Sequence, residues 1–132
     1  MNTTPPTPPE GGAATAVRHL LTTAPAPAPG LVTIVTLSAQ LNNTMALAVS
    51  YVPDQLVMTR TGFDAYAAAR NRAPFTTPEA IAADIAADVS NELVPKWLRV
   101  TVNSQSGGVV NHSVTVEDRQ PGWDHLSVFK NL

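Results

Sequence analysis

The sequence predicts an α+β domain built on one antiparallel sheet, with elements in the order strand, strand, helix, helix, strand, strand. Two observations predict this class. Segments with alternating apolar side chains lie on either side of two segments whose apolar residues have helical spacing. The connections within each strand pair are short and rich in Asn, Gly and Ser, which is typical of hairpins. We divide the chain of 132 residues into a Pro-rich arm with a short helix (1–30), the α+β domain (31–118) and a C-terminal tail (119–132).

The composition excludes several classes of protein. A net charge of -2 gives no electrostatic footprint for nucleic acid or an anionic membrane surface. The chain has no cysteine, which excludes disulfides, thiolate metal sites and cysteine nucleophiles. No apolar run approaches the ~20 residues of a membrane span, and no signal-peptide pattern is present. We therefore expect a protein of the cytoplasm, or of a particle assembled there, without a cofactor.

The arm combines a proline-rich start, a short helical pattern and a stiff Ala-Pro spacer. Residues 1–12 contain four prolines and favour an extended, solvated chain. Val17, Leu20 and Leu21 follow with helical spacing. Two alternatives stay open, because the helix either docks on a neighbouring chain or folds back on its own domain. These three residues are our interface candidates in the arm, and we expect its removal to spare folding.

The domain begins with a predicted β-hairpin. Leu31 to Leu41 alternates in hydrophobicity, and Met45 to Tyr51 forms the second strand after an Asn-Asn-Thr turn. Pro53 ends this second strand, since proline cannot donate to a strand ladder. The segment from Leu56 to Thr61 is short and its secondary structure stays ambiguous.

Two helices follow the hairpin. Residues 62–71 predict the first, and Pro78 to Leu93 predicts the main helix around which the domain is arranged. Thr76 or Thr77 caps the start of the main helix, and Glu79 completes a capping-box pattern with Thr76. The stripe that we expect to be buried consists of Ile81, Ala82, Ile85, Ala86, Val89 and Leu93.

Acidic residues recur on a neighbouring face of the main helix. Asp84, Asp88 and Glu92 are spaced four residues apart, so their repulsion costs a few tenths of a kcal/mol per pair. Either a basic partner relieves this repulsion or the face is simply solvated.

A second hairpin and the tail complete the chain. Trp97 to Val102 and Val110 to Glu117 predict two strands, with His112 on the apolar face of the second. The tail carries large apolar residues, among them Trp123 and Phe129, which we expect to bury on this subunit or the next.

Three local strings resemble the QueF family of 7-cyano-7-deazaguanine nitrile reductases, within the tunnelling fold (T-fold). They are Val-Ser-Tyr-Val-Pro-Asp at 49–54, Tyr66 leading to Arg70-Asn71, and Pro-Lys-Trp-Leu-Arg-Val at 95–100 followed by Gly107-Gly108. The match covers roughly residues 47–116. Each string is weak alone, and their common order carries the resemblance.

The resemblance implies an architecture of assembly. T-fold subunits pair their sheets side by side into rings and stack the rings, so that ligand pockets lie at subunit interfaces. We therefore expect a homo-oligomer whose arm contacts neighbouring chains.

The resemblance also implies what this chain lacks. QueF-type reduction forms a covalent thioimide on a cysteine, and the corresponding stretch, 36–44, contains none. Ser38 is a poor substitute because its pKa is far higher and no base is near in sequence. The family's His-Glu pair, which grips the purine-like base, falls at about Thr76-Thr77. Our ligand-binding candidates are Glu79, Thr76, Thr77 and Arg70; the alternative is that Glu79 only caps the helix.

The sequence offers no catalytic residue and no metal site. His19, His112 and His125 are far apart and lack the spacing of metal ligands. A nitrile reductase without cysteine is chemically implausible.

Three functions stay open. The first is a non-catalytic, ring-forming structural or interaction subunit of a larger assembly, for example a phage or virion-like particle. The second is a T-fold binder of a purine, pterin or 7-deazaguanine that uses Glu79 or Glu92 as base anchor. The third is a cofactor-free T-fold enzyme that uses Thr, His112 or Arg70, and no acid–base pair in the sequence favours it.

Overall fold

The computed structural model describes residues 18–27, 32–41, 44–72, 77–106 and 109–123. From residue 35 onward the elements follow the predicted order with one short extra strand, which confirms the α+β class. The elements are β1 (Thr23–Pro25), β2 (Val35–Gln40), β3 (Met45–Val52), β4 (Leu56–Met58), α1 (Arg60–Arg72), α2 (Pro78–Leu93), β5 (Trp97–Ser106) and β6 (Val109–Arg119).

The main sheet has the strand order β2-β3-β5-β6, and every neighbouring pair is antiparallel. The register aligns apolar residues across the strands on one face, so that Val49 lies between Leu37 and Val100. Both helices pack on this face, and α2 contacts β5 and β6. The core between the helices and the sheet includes Leu47, Val49, Tyr51, Phe63, Tyr66, Ile85, Val89, Leu98 and Val100.

The opposite face of the sheet is polar, because its residues alternate with those of the core. Its side chains are exposed or half-buried over most of its area. They hydrogen-bond across neighbouring strands, as between Thr36 and Ser50 (3.0 Å) and between Thr101 and Thr115 (3.2 Å). Arg99 and Glu117 form an ion pair of 2.7 Å on the same face.

The main helix has the predicted bounds, and the residues that cap its two ends explain why it begins and ends there. Thr77 is the N-cap, and its hydroxyl accepts a hydrogen bond from the backbone N–H of Ala80 at 3.1 Å. Pro78 occupies the first turn, where its missing N–H costs nothing. The helix ends at Val94, which has φ 46° and donates its N–H to the carbonyl of Ser90.

Residues 18–27 pack against the same chain. Leu21 is 2% exposed within the hydrophobic core, and β1 pairs antiparallel with β4. The hydroxyls of Thr22 and Thr59 lie 2.6 Å apart. For this part of the arm, the chain therefore folds back on its own domain. The short strand replaces the start of the expected Ala-Pro spacer, since Pro25 is tolerated in a strand at the sheet edge.

The bounds of three strands differ from the prediction for physical reasons. β2 begins at Val35 because that residue already pairs with Tyr51, close to the end of β3 that Pro53 imposes. Residues 32–34, just upstream, are not part of a strand. β5 and β6 are longer than predicted, because their hairpin pairs as far as Ser106 and Val109.

Candidate functional site

The strongest candidate site lies where α2 begins beside the main sheet. Glu79 follows the N-cap, and His112 lies on β6 in register with Ser104. The Glu79 Oε2 and His112 Nε2 atoms are 3.0 Å apart. Both side chains are accessible, with 59% of Glu79 and 45% of His112 exposed. The site is therefore a polar pair at the surface, reached from solvent.

A strand irregularity accompanies His112. Gln105 pairs with Val110 and Ser104 pairs with His112, so Asn111 is an extra residue in β6. Such bulges re-aim side chains at the ends of sheets. The pairing returns His112 to the register of the core-facing residues Val114 and Val116. His112 thus stands at the end of the apolar row, where Glu79 meets it.

Glu79 is held in its charged form. A hydrogen bond from its own backbone N–H lowers the pKa of the Glu79 carboxyl most. Desolvation opposes this, and the hydrogen bonds from His112 and then Thr77 lower the pKa further. The position near a helix N-terminus also favours a negative charge. The carboxylate can therefore accept N–H donors from a ligand at neutral pH.

Arg70 lies away from Glu79, although the sequence analysis named both as ligand-binding candidates. The Arg70 guanidinium donates to Asp88 Oδ2 at 2.5 Å and to the Tyr66 hydroxyl at 3.1 Å. Arg70 and Asp88 are each 6% exposed. Asp88 follows Glu79 by nine residues, which is about 13.5 Å along the helix axis. Arg70 belongs to a buried cluster between the helices.

Tyr66 completes this buried cluster. Its hydroxyl donates to Asp88 Oδ2 at 2.5 Å. Burial raises the pKa of Tyr66 far above its ordinary value, and the bond to Asp88 raises it further. The phenol therefore stays protonated and serves as a hydrogen-bond donor.

Two of the three acidic residues on this face of α2 pair with arginines of the same chain. Asp88 pairs with Arg70, and Glu92 lies 2.8 Å from the Nε atom of Arg18. The Arg18 contact is an ion pair without hydrogen-bond geometry. Asp84 is exposed. Intramolecular pairing thus relieves most of the repulsion that the sequence indicated.

The remaining candidates are dispersed. Thr77 is the N-cap beside Glu79, while Thr76, Val17 and Phe129 lie outside the described residues. In the arm, Leu20 is 37% exposed and Leu21 is 2% exposed. Trp123 is half-buried, and its backbone N–H donates to the backbone carbonyl of Gln120 at 3.1 Å.

Within the described ranges the chain shows neither a cluster of metal ligands nor a membrane-spanning helix. No group of three His, Asp or Glu side chains there could hold a metal ion. None of the helices described is long and apolar enough to cross a membrane.

Comparison with known proteins identifies the fold. No protein-family model and no curated protein matches the chain. Among the solved structures that match is the archaeosine synthase QueF-Like in its apo form. It shares 22% identity over 69% of this chain and 96% of its own, with a TM-score of 0.52.

This similarity, with the two helices set between two antiparallel strand pairs, gives the chain a T-fold-like arrangement. The resemblance stated from three short strings is confirmed at the level of the fold.

Proposed function

We propose that this chain is a non-catalytic T-fold-like subunit that acts by assembling with copies of itself, as a structural or interaction component of a ring. One observation carries the proposal: the main sheet is covered by helices on one face and has a strand edge at each side. β2 and β6 are the outer strands of the sheet in the described part of the chain. A strand edge presents backbone N–H and C=O groups that pair readily with another chain.

The character of the β6 edge supports pairing between copies. This strand is 11 residues long, and β2 at the other edge has 6 residues. Edge strands that avoid pairing are usually very short, charged, proline-bearing or bulged. The bulge of β6 is confined to Asn111, near the hairpin end, and the charged residues of the strand are its last three, from Glu117 to Arg119. β6 has no proline, and its middle, from Asn111 to Val116, has no Asp, Glu, Lys or Arg. Association would also help a small domain to bury more of its surface.

Two features of the chain count against a QueF-type reaction and against an enzyme that uses Arg70. It has no cysteine with which to form a thioimide. Arg70, named above for the enzyme alternative, is occupied by Asp88 in the protein interior. Assembly requires neither a cysteine nor a reactive Arg70.

A charge placed on the β6 edge tests this proposal. Thr115→Lys puts a cation at an exposed position of that edge. When two copies pair through this edge, their lysines repel each other and oppose the pairing. Ala83→Lys places the same charge on the exposed face of α2 as a matched control. In sedimentation velocity we expect the unmodified chain and Ala83→Lys to form one oligomer, and Thr115→Lys to shift toward the 13.9 kDa monomer. A monomeric unmodified chain, or identical behaviour of all three, would contradict assembly through this edge.

A second candidate function rests on Glu79. Its carboxylate is exposed, ionised and oriented by His112 at 3.0 Å. Purines, pterins and 7-deazaguanines present neighbouring N–H donors that one carboxylate can accept together. We propose such a heterocycle as the ligand at this site, bound without conversion.

Glu79→Gln tests the second candidate by isothermal titration with guanine, pterin and 7-deazaguanine. The substitution keeps the shape but removes the charge, so we expect binding to weaken at least about tenfold. Asp84→Asn, which removes an exposed carboxylate from the same helix, is the matched control. Because the pKa of Glu79 is lowered, binding should persist at mildly acidic pH and be lost only as pH falls through that lowered pKa. Equal binding by Glu79→Gln, or none by an intact oligomer, would remove this candidate.

A further inference from the structure

A cleft lies at the end of the fold away from Glu79, beyond the C-terminus of α2. Its lining consists of Pro25, Ala26, Asp54, Gln55 and Lys96. These residues come from the end of β1, the turn after β3 and the approach to β5. Its volume is about 370 Å³, within the range of roughly 300–1,000 Å³ that is typical of small-molecule sites. It is separated from Glu79 by the length of α2, which is about 24 Å.

The backbone around this cleft is held in place from several sides. The Ala26 N–H donates to the Gln55 carbonyl at 2.9 Å, and the Lys96 N–H donates to the Val52 carbonyl at 2.9 Å. The Gln120 N–H donates to the Lys96 carbonyl at 3.0 Å. The lining residues are therefore positioned before any ligand arrives, which lowers the entropic cost of binding.

Gln120 also fixes the acidic side of the cleft. Its side-chain amide donates to Asp54 Oδ2 at 3.0 Å and to the Val94 carbonyl at 3.2 Å. The Asp54 carboxylate is thus oriented through one oxygen, and its other oxygen has no hydrogen bond within the described part of the chain. A carboxylate held in this way can accept an N–H donor from a ligand.

Lys96 supplies the opposite charge in the same cleft. It is half-buried, and among the residues that the structure describes no carboxylate lies within 4.0 Å of its ammonium group. Asp54 therefore shares the cleft with Lys96 without neutralising it. One cation and one anion that line the same small cavity without pairing with each other match a ligand that carries both charges in the opposite arrangement.

We infer that this cleft binds a small zwitterion of the amino-acid or dipeptide class. The ligand carboxylate contacts the Lys96 ammonium, and the ligand ammonium donates to Asp54. This inference does not depend on self-assembly or on Glu79, since the residues involved belong to neither.

The test uses the full ¹⁵N-labelled chain titrated with glycylglycine. We expect saturable shifts of the amide signals of Ala26, Gln55 and Lys96. Glycinamide, which has only the ammonium, and N-acetylglycine, which has only the carboxylate, should each bind at least about tenfold more weakly, because each loses one charge-assisted contact. These comparisons use the unmodified protein and do not depend on whether a variant folds.

Two substitutions then assign the contacts. Lys96→Met removes the cation but keeps most of the length of the side chain, and Asp54→Asn removes the anion. Each should weaken glycylglycine binding at least tenfold, whereas Arg60→Met, on an exposed arginine, should leave it unchanged. Absence of saturable shifts, equal binding of N-acetylglycine and glycylglycine, or unchanged binding by both variants would overturn the inference.

Discussion

The side chains of Tyr66, Arg70 and Asp88 share three hydrogen bonds, and the two that Asp88 accepts join α1 to α2. Tyr66 and Arg70 are four residues apart on α1, so they lie on the same helix face. Asp88 faces them from α2. Burying a charged pair costs desolvation that its attraction only partly repays, so the intact cluster adds little net stability. The cluster has a larger effect on how α1 and α2 pack together. Any other packing of the two helices would leave a charge buried without its partner.

Asp88→Asn should destabilise the protein strongly. It leaves the Arg70 guanidinium buried beside a neutral side chain, and loss of one partner of a buried pair typically costs about 3 kcal/mol or more. The exposed Asp84→Asn removes the same charge from the same helix and should change the free energy of unfolding by less than about 0.5 kcal/mol. Urea unfolding of both variants measures the difference. Similar values for the two would show that the buried cluster does not constrain the helices.

The residue-level predictions succeeded where the signal was local. The cap was predicted at Thr76 or Thr77, with Pro78 in the first turn, because capping depends on neighbours in the sequence, and the structure has Thr77 as the N-cap. The capping box of Thr76 with Glu79 was wrong, because Glu79 is then the second helical residue and not the third. The role of Asp88 could not be predicted, since its partner Arg70 lies 18 residues away on another helix. Spacing alone placed Asp88 on an acidic face that is either solvated or relieved by a basic partner, and it could not name that partner. The contact between Glu79 and His112 was missed for the same reason, because 33 residues separate them.

At the scale of elements, the segment formed by residues 18–27 is bound closely to α1. Gly62 is the point of closest approach. A Cβ atom there would lie 2.7 Å from the Thr22 nitrogen and 2.9 Å from the Leu20 carbonyl oxygen, and it would also contact the Thr22 hydroxyl. Backbone atoms cannot rotate away from such a contact, so only glycine allows the segment its position.

Removal of the whole arm would take Leu21 out of the core. We therefore expect that truncation to destabilise the fold, in contrast to the expectation from the sequence.

Gly62→Ala should displace the segment from α1. Overpacking of this kind costs roughly 1–3 kcal/mol, and the better helix propensity of alanine recovers less than about 1 kcal/mol of it. Amide hydrogen exchange provides the measurement, because the Thr59 N–H donates to the Thr22 carbonyl at 2.9 Å and should exchange faster in the variant. Ala65→Ser, on the exposed face of the same helix, is the control. Unchanged protection of Thr59 in Gly62→Ala would contradict a tight contact between the segment and the helix.

The elements themselves were predictable to different degrees. The bounds of α2 followed from a cap, a proline and an apolar stripe that agree with one another. β1 was not predicted, because the repeated Ala-Pro pattern favours polyproline and a three-residue strand has no periodicity of its own. Its existence depends on pairing with β4, which is a tertiary contact.

The whole molecule combines an apolar and a polar face on a single sheet. The apolar face is covered by the helices, and the polar face carries hydroxyl pairs and the Arg99–Glu117 ion pair. Both sheet edges belong to strands without a second strand partner in the described ranges. The alternation that produces the two faces was visible in the sequence. The strand order, which decides where the edges lie, was visible only through the resemblance to a known fold.

Native mass spectrometry of the purified, untreated protein tests the central claim most directly. Self-assembly predicts one closed oligomer, at an integer multiple of 13.9 kDa. The same spectrum reports any retained heterocycle, about one per subunit if the site at Glu79 is occupied. A bare monomer across the micromolar range would contradict the assembly of this chain through its sheet edges.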